Sequence, residues 1–78
     1  MKCYVVSNKH TEGYTRTFWK PRSSGYTIDL NQAGIYEPDN RYPLITKDNL
    51  KDRGKYDTYY IPVDEVELLG KKMICILN

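Results

Sequence analysis

The chain has 78 residues, of which 40% are hydrophobic and 28% are charged, a composition typical of a folded globular protein. We expect a single domain over residues 1–78, with a marginal core, since a chain this short buries only about 60% of its unfolded surface. The net charge of +2 is too small to indicate a nucleic-acid partner, and no apolar run is long enough to predict a membrane-spanning helix.

The cysteine and histidine content argues against a metal site. The chain has two cysteines, Cys3 and Cys75, without a CxxC motif, and His10 is its single histidine. The usual ligand spacings of zinc sites are therefore missing, and we predict no metal and no cofactor. We expect two reduced thiols in a cytoplasmic protein, and the lack of a charged and then apolar leader after Met1 favours the same location.

The first third of the chain is predicted to form strands. Residues 2–7, KCYVVS, are β-branched and aromatic, which favours a strand. Residues 14–20, YTRTFWK, alternate along a second strand, and Pro21 begins a turn because proline cannot continue a strand ladder. Residues 25–29, GYTID, return antiparallel, so residues 15–29 are expected to form a β-hairpin.

The middle of the chain is predicted to form short helices. Asp29 has the chemistry of an N-cap, which predicts a helical turn over residues 30–33 that ends in a left-handed conformation at Gly34. Residues 45–54, ITKDNLKDRG, are expected to form about two helical turns that end at Gly54.

The last third of the chain completes the predicted fold. Residues 56–61 are expected to form a strand, residues 62–70 the clearest helix, and residues 72–77 a central strand. The predicted fold class is α+β, with a small, mainly antiparallel sheet of four to five strands and one or two short helices on one face.

Residues 18–34, FWKPRSSGYTIDLNQAG, have the densest group of side chains suited to a ligand. Trp19 offers a flat indole for stacking on a base, and Lys20 and Arg22 offer positive charge for a phosphate. The backbone amides around Ser24 suit an anion-holding turn. These are the parts that a nucleotide-like ligand requires.

Four further residues belong to this predicted site. Thr27 and Asp29 are expected to contact ligand hydroxyl groups, and Tyr26 and Tyr36 are expected to form a pocket wall or a subunit contact. A second interpretation of the same stretch makes Trp19 the main core anchor, the turn an ordinary one and Asp29 only a helix cap. Both interpretations stand at this point, because the register of a hairpin cannot be read from sequence.

Catalysis is not expected. Nucleophilic catalysis needs a base within hydrogen-bond reach of a serine or cysteine, and His10 lies in a polar turn. No P-loop or GxGxxG motif occurs, and the charges in residues 47–53 are interpreted as a solvated face. Nucleic acid is not the expected partner either, although YTRTFWKPR interleaves aromatic rings and cations, because the five bases and nine acids of residues 27–69 make that part acidic.

A motif in this stretch resembles a family of small bacteriophage and prophage accessory proteins. The matching residues are Trp19, Lys20, Pro21, Gly25, Tyr26, Thr27, Asp29, Leu30, Ala33, Gly34 and Tyr36. The similarity covers about half the chain, with a looser match in YYIPVDEVELL. The resemblance implies a phage accessory role in the cytoplasm of the host bacterium, and it names no activity.

Small phage proteins of this kind commonly act by binding, which gives two hypotheses. The first is a non-catalytic protein that sequesters a nucleotide-derived signal of host defence. The alternative is a protein–protein inhibitor of a host defence or regulatory factor, with the tyrosine-rich surface as its interface. Assembly into a homo-oligomer is expected in either case, because it would supply the core that a short chain lacks.

Overall fold

The computed structural model of the protein describes residues 1–8 and 16–69. Within these residues, four strands form one antiparallel sheet in the order β3-β2-β1-β4. The strands are β1 (Cys3–Ser7), β2 (Phe18–Trp19), β3 (Tyr26–Thr27) and β4 (Thr58–Pro62). The remaining regular structure consists of a tight turn at Pro21–Ser23 and 3₁₀ helices at Leu30–Gln32, Leu50–Lys55 and Val63–Leu69. The predicted combination of an antiparallel sheet with short helical elements is confirmed, and the helical share is smaller than predicted.

Strand β1 is the centre of the sheet. It pairs with β4 along its whole length, from Cys3 opposite Pro62 to Ser7 opposite Thr58. On its other side only its second half meets β2, through the pair of Val6 and Phe18. The first half is bridged instead by Tyr36, whose backbone exchanges two hydrogen bonds of 2.8 Å with Cys3. The run CYVVS therefore fills a strand with neighbours on both edges, which suits its β-branched residues.

The side chains of β1 alternate between two small cores, one on each face of the sheet. The first core contains Val6, Phe18, Ile45, Tyr59, Ile61, Val66 and Leu69. Leu30 and Leu50 pack against it from their 3₁₀ helices. The apolar side chains of these helices and of Val63–Leu69 thus cover the same face of the sheet.

The second core lies on the opposite face and is rich in tyrosine. It contains Cys3, Val5 and Tyr60, with Trp19, Tyr36, Tyr42 and Leu44 packed against it. Most of its cover comes from irregular backbone between β3 and β4, where aromatic rings meet edge to face. This arrangement uses the rings as packing material for a thin domain.

The predicted hairpin forms, with a shorter ladder than expected. Phe18 pairs with Thr27 and Trp19 pairs with Tyr26, and the Lys20 N–H donates to the Gly25 carbonyl at 2.8 Å. The first two residues of the strand predicted at 14–20 lie outside the described part of the chain.

Several predicted boundaries were wrong. Pro62 is the last residue of β4 and not the start of a helix, so the helix begins one residue later, at Val63. The helix at Leu50–Lys55 begins later than predicted and continues through Gly54. The expected strand at residues 72–77 lies outside the described residues. Within residues 1–8 and 16–69, no helix is long and apolar enough to cross a membrane.

Gly34 is required for a reason other than the predicted left-handed conformation. Among the described residues, Gly25 is the glycine with positive φ, at 134°. A Cβ at position 34 would instead lie 2.7 Å from the Pro21 Cα and backbone nitrogen, and 2.8 Å from Cε2 of Tyr36. The glycine therefore permits two backbone segments to approach closely.

Candidate functional site

The hairpin tip is a tightly built turn. Arg22 and Ser23 both have left-handed backbone conformations, with φ of 58° and 54°, which is uncommon for residues other than glycine. The Tyr36 hydroxyl clamps this turn, because it accepts a hydrogen bond of 3.0 Å from the Ser23 N–H and donates one to the Lys20 carbonyl. Gly34 lies against Pro21 at the base of the turn. The tip is thus held by side chains from the segment that follows the hairpin.

The Trp19 ring is wedged into the second core. Its centroid lies 6.1 Å from that of Tyr36 and 5.6 Å from that of Tyr42, edge to face in both cases. The indole Nε1 is buried and has no hydrogen-bond partner among the residues that the structure describes. The packing matches the interpretation of Trp19 as a core residue, although one part of the side chain remains at the surface.

A small pocket adjoins the exposed part of the indole. It has a volume of about 130 Å³ and is lined by Trp19, Ser23, Gly25 and Tyr26. Pockets for drug-sized ligands have volumes of about 300 Å³ or more. The structure therefore brings Trp19 and Tyr26 together, while Lys20, Arg22 and Ser24 do not line this pocket.

Thr27 and Asp29 are not positioned to form one ligand site with the Trp19 indole. Directly paired residues project to the same face, so Trp19 shares its face with Tyr26, and Thr27 shares the opposite face with Phe18. The Thr27 hydroxyl accepts a 3.0 Å hydrogen bond from the Asp29 N–H. Asp29 in turn caps the next 3₁₀ helix by accepting from the Asn31 N–H at 2.9 Å. Both side chains are engaged in local structure, as the helix-cap interpretation predicts.

A larger concavity lies at the other end of the sheet. We call it the basic groove: it is open, has a volume of about 440 Å³ and is lined by Asn8, Arg16, Lys51, Arg53 and Gly54. Three of these residues are cationic and none is acidic. A concave surface with one sign of charge concentrates the field and attracts small anions.

The sheet and one 3₁₀ helix form the frame of the basic groove. Asn8 follows β1, and its Nδ2 donates hydrogen bonds of 2.8 Å to the carbonyls of Arg53 and Tyr56. The Asn8 N–H also donates to the Asp57 carbonyl at 2.7 Å. These bonds hold the helix Leu50–Lys55 beside the end of the sheet, and with it Lys51 and Arg53.

The cations differ in how firmly they are held. Nη1 of Arg53 donates to the Leu50 carbonyl at 3.0 Å, and Nη2 of Arg16 donates to the Leu69 carbonyl at 3.3 Å. Lys51 is exposed. The nearby carboxylate of Asp52 is engaged by Lys55 at 3.1 Å. This ion pair offsets the negative charge of Asp52.

Arg16, which lines the groove, and Tyr59 each have a buried polar atom without a hydrogen-bond partner among the described residues. Nε of Arg16 and the hydroxyl of Tyr59 are both buried and accept or donate no hydrogen bond within residues 1–8 and 16–69. Burial raises the pKa of Tyr59, and the positive charges of Arg16 and Arg53 oppose part of that rise. The positive charges of both guanidinium groups therefore act on the Tyr59 hydroxyl.

No local sequence pattern indicates this groove. The charges at positions 51 and 53 are typical of a solvated face, and Arg16 belongs to the predicted hairpin strand. The lining residues come from three separate parts of the chain. Only the pairing of β1 with β2 and β4 brings these parts together, and no local pattern reports that pairing.

Metal and thiol chemistry find little basis in the described residues. Residues 1–8 and 16–69 contain no group of three or more histidine, cysteine or acidic side chains that could hold a metal ion. Cys3 is buried in the second core, and this burial raises the pKa of its thiol. A thiol in such surroundings is a poor nucleophile. Cys75 lies outside the described residues.

No protein-family model, no curated protein and no solved structure matches the chain.

Proposed function

We propose that this chain is a non-catalytic binding protein that holds a nucleotide-like, phosphate-bearing small molecule in the basic groove. The observation that carries the proposal is the convergence of Arg16, Lys51 and Arg53 on one concavity of about 440 Å³. Its volume lies within the range of roughly 300–1,000 Å³ that small-molecule sites occupy. Guanidinium and ammonium groups bind phosphate oxygens through charge-assisted hydrogen bonds.

The lining of the groove favours binding over chemistry. Among its described lining residues, the side chains are one amide and three cations. Such groups neutralise and orient an anion, whereas general base catalysis needs a proton acceptor near the reacting atom. The same inventory favours a molecule with several negative charges.

The biological role proposed here is sequestration of a nucleotide-derived host defence signal in a bacterial cell. This part of the proposal depends on the resemblance to phage accessory proteins. A protein of this size can lower the free concentration of a small signal by binding it stoichiometrically, without a reaction. Relative to the first hypothesis, the proposed ligand contacts move from the hairpin tip to the basic groove.

The test compares two matched double variants. Lys51→Gln with Arg53→Gln removes two cations from the groove, and Lys20→Gln with Arg22→Gln makes the same chemical change at the hairpin tip. We expect pyrophosphate and adenosine diphosphate to raise the melting temperature of the unaltered protein and of the tip variant. A ligand at about 100 times its Kd stabilises the native state by about 2.7 kcal/mol, and each kcal/mol raises Tm by about 4–8 °C in a domain of this size.

The groove variant should lose most of this gain. Sodium chloride at matched ionic strength and uncharged adenosine are the controls for non-specific salt and base effects. A loss of response in the tip variant alone would place the ligand at Trp19. If the unaltered protein responds to neither probe, and a native mass spectrum of protein isolated from its host carries no small molecule, the proposal is wrong.

One observation favours the second candidate, a protein–protein inhibitor. Tyr26, in the outer strand β3, and Ile28, directly after that strand, are 49% and 42% exposed. Exposed aromatic and aliphatic side chains next to an edge strand are typical of protein interfaces. Ile28→Asp should then abolish co-purification of a stoichiometric host protein, while the groove variant should retain it.

A further inference from the structure

Arg16, one of the residues that line the basic groove, also has a buried side-chain atom. Arg16 lies two residues before Phe18, so its side chain belongs to the face of the sheet that bears the first core. On the same face Tyr59 lies beside Val6, which pairs with both Phe18 and Tyr59. Arg16 and Tyr59 therefore flank the end of β1 from opposite sides.

The two buried atoms at this end are both hydrogen-bond donors. Tyr59 has no exposed surface, and its hydroxyl has no partner in the described part of the chain. The same is true of Nε of Arg16. A buried polar group without a partner is costly, and few such groups occur in native proteins. Two such donors on one face of the sheet call for an acceptor that the described residues do not supply.

Arg16 can exchange its present hydrogen bond to a backbone carbonyl for hydrogen bonds to an anion. Nε and Nη2 form one edge of the guanidinium, which can donate two parallel hydrogen bonds to an oxyanion. At present Nη2 donates to the neutral Leu69 carbonyl at 3.3 Å, a long bond for a guanidinium donor. A charged oxygen would be a stronger acceptor at this edge.

We propose that the Arg16 edge and the Tyr59 hydroxyl form an oxyanion subsite at the inner end of the basic groove. A small rotation of the guanidinium away from the Leu69 carbonyl opens this subsite to a terminal phosphoryl group. Arg16 then binds two phosphoryl oxygens through Nε and Nη2, and Tyr59 donates to the third. The inference rests on the proposed function, since the groove must first attract the anion.

This arrangement determines the class of ligand. A terminal phosphoryl group offers one oxygen to each of the three donors in a tetrahedral arrangement, whereas a planar carboxylate must share two oxygens among them. Because charge-assisted hydrogen bonds strengthen with the charge of the acceptor and with good geometry, we expect pyrophosphate and nucleoside diphosphates to bind more tightly than malonate, a dicarboxylate of smaller charge. Lys51 and Arg53 at the outer end then contact the next phosphate.

The adjacent tyrosines provide the decisive experiment. Tyr59→Phe removes only the hydroxyl without a partner, and Tyr60→Phe removes a hydroxyl that donates to Asp39 at 2.8 Å on the opposite face. Binding of pyrophosphate is measured by calorimetry, and the Tm of each ligand-free protein by differential scanning. Arg16→Lys, which keeps the charge and loses the two-donor edge, is the second test variant.

We expect Tyr59→Phe and Arg16→Lys each to weaken pyrophosphate binding about tenfold, the loss of one charge-assisted hydrogen bond. Tyr59→Phe should leave the Tm of the ligand-free protein unchanged or higher. Tyr60→Phe should lower that Tm by about 5 °C and leave affinity unchanged.

Two results would overturn the inference while the proposed function stands. One is a Tyr59→Phe protein that binds pyrophosphate as tightly as the unaltered protein, while the Lys51 and Arg53 variant still loses binding. The other is a Tyr59→Phe protein that melts as low as Tyr60→Phe without ligand, since the hydroxyl would then have a partner. If the unaltered protein binds no pyrophosphate, the proposed function itself fails.

Discussion

The hairpin tip and the basic groove lie at opposite ends of β2, and they differ in how their residues are used. At the tip, Trp19 and Tyr36 pack against each other and against the second core, while the cations beside them do not line the small pocket. At the groove, Arg16 and Lys51 come from distant parts of the chain and line one concavity. Side chains that suit a ligand can thus be engaged in packing, and a concave cluster of cations can form from residues that are far apart in the sequence.

The largest expected effect tests whether the tip is structural. Trp19→Ala removes the indole from the second core, and we expect it to lower the free energy of unfolding by about 3 kcal/mol, as for other large aromatic truncations. Urea denaturation followed by circular dichroism measures the loss. Tyr26→Ala, on the exposed side of the same pocket, is the control and should cost less than half as much.

The same variant separates the two regions. Trp19→Ala protein that remains folded at low temperature should bind pyrophosphate normally, because the groove lies elsewhere. An equal stability of the Trp19→Ala and Tyr26→Ala proteins, together with lost ligand binding, would restore the tip as the ligand site.

The second-largest effect on stability is expected from replacing one of two glycines by alanine. Gly34→Ala would place a Cβ 2.7 Å from the backbone of Pro21, so the hairpin turn must shift. We expect a loss of about 2 kcal/mol, typical of overpacking. In the groove helix, Gly54→Ala meets nothing within 4 Å and has no left-handed backbone, so its stability should be unchanged or slightly higher. Thermal unfolding of both variants is the measurement, and equal Tm values would show that the close approach is not rigid.

Removing one hydroxyl tests the clamp on the tip. Tyr36→Phe keeps the ring against Trp19 and loses the hydrogen bonds to Ser23 and Lys20. We expect about 1 kcal/mol of destabilisation, the usual net value of such bonds, and faster hydrogen exchange of the Ser23 amide. Tyr42→Phe, whose ring also packs on the indole, is the control. Unchanged exchange at Ser23 would mean that the turn keeps its left-handed residues without the hydroxyl.

The smallest expected effect concerns the contribution of the Asp39 carboxylate to stability at low pH. The backbone N–H of Arg41 and then the Tyr60 hydroxyl hydrogen-bond to Asp39 and lower its pKa below the ordinary value of 3.8. A carboxyl whose pKa is lowered by folding stabilises the native state above its unfolded pKa, and this contribution is lost as the pH falls through the folded value. We expect the unaltered protein to lose stability below about pH 4 more steeply than Asp39→Asn.

Denaturation midpoints between pH 2 and 6 would measure this difference. Asp48→Asn, which makes the same charge change at an exposed position in another part of the chain, is the control. Parallel acid profiles for the Asp39→Asn and unaltered proteins would contradict the prediction.

Local features of the fold could be predicted from the sequence. β1, the hairpin and the Asp29 cap depend on β-branched residues, a proline break and a short polar side chain, all of which act within a few residues. The exclusion of the common zinc spacings needed only a count of ligands.

The remaining features depend on contacts that are distant in sequence. The register that turns Thr27 away from Trp19 is set by packing of Phe18 in the first core. Pro62 could extend β4 because Cys3 pairs with it, which no propensity near residue 62 reports. The basic groove requires the ends of β1 and β2 to meet the helix Leu50–Lys55, and this meeting exists only in the folded chain.

The central position of β1 in the sheet affects how the protein folds during its synthesis. β1 is synthesised first, yet its full-length neighbour β4 is synthesised last of the four described strands. Until β4 emerges, the apolar run CYVVS has only the short hairpin and Tyr36 to pair with. Such dependence on a distant partner slows folding and leaves the apolar residues of β1 without their full-length neighbour until β4 is synthesised. The sheet is therefore completed late, when β4 pairs with β1.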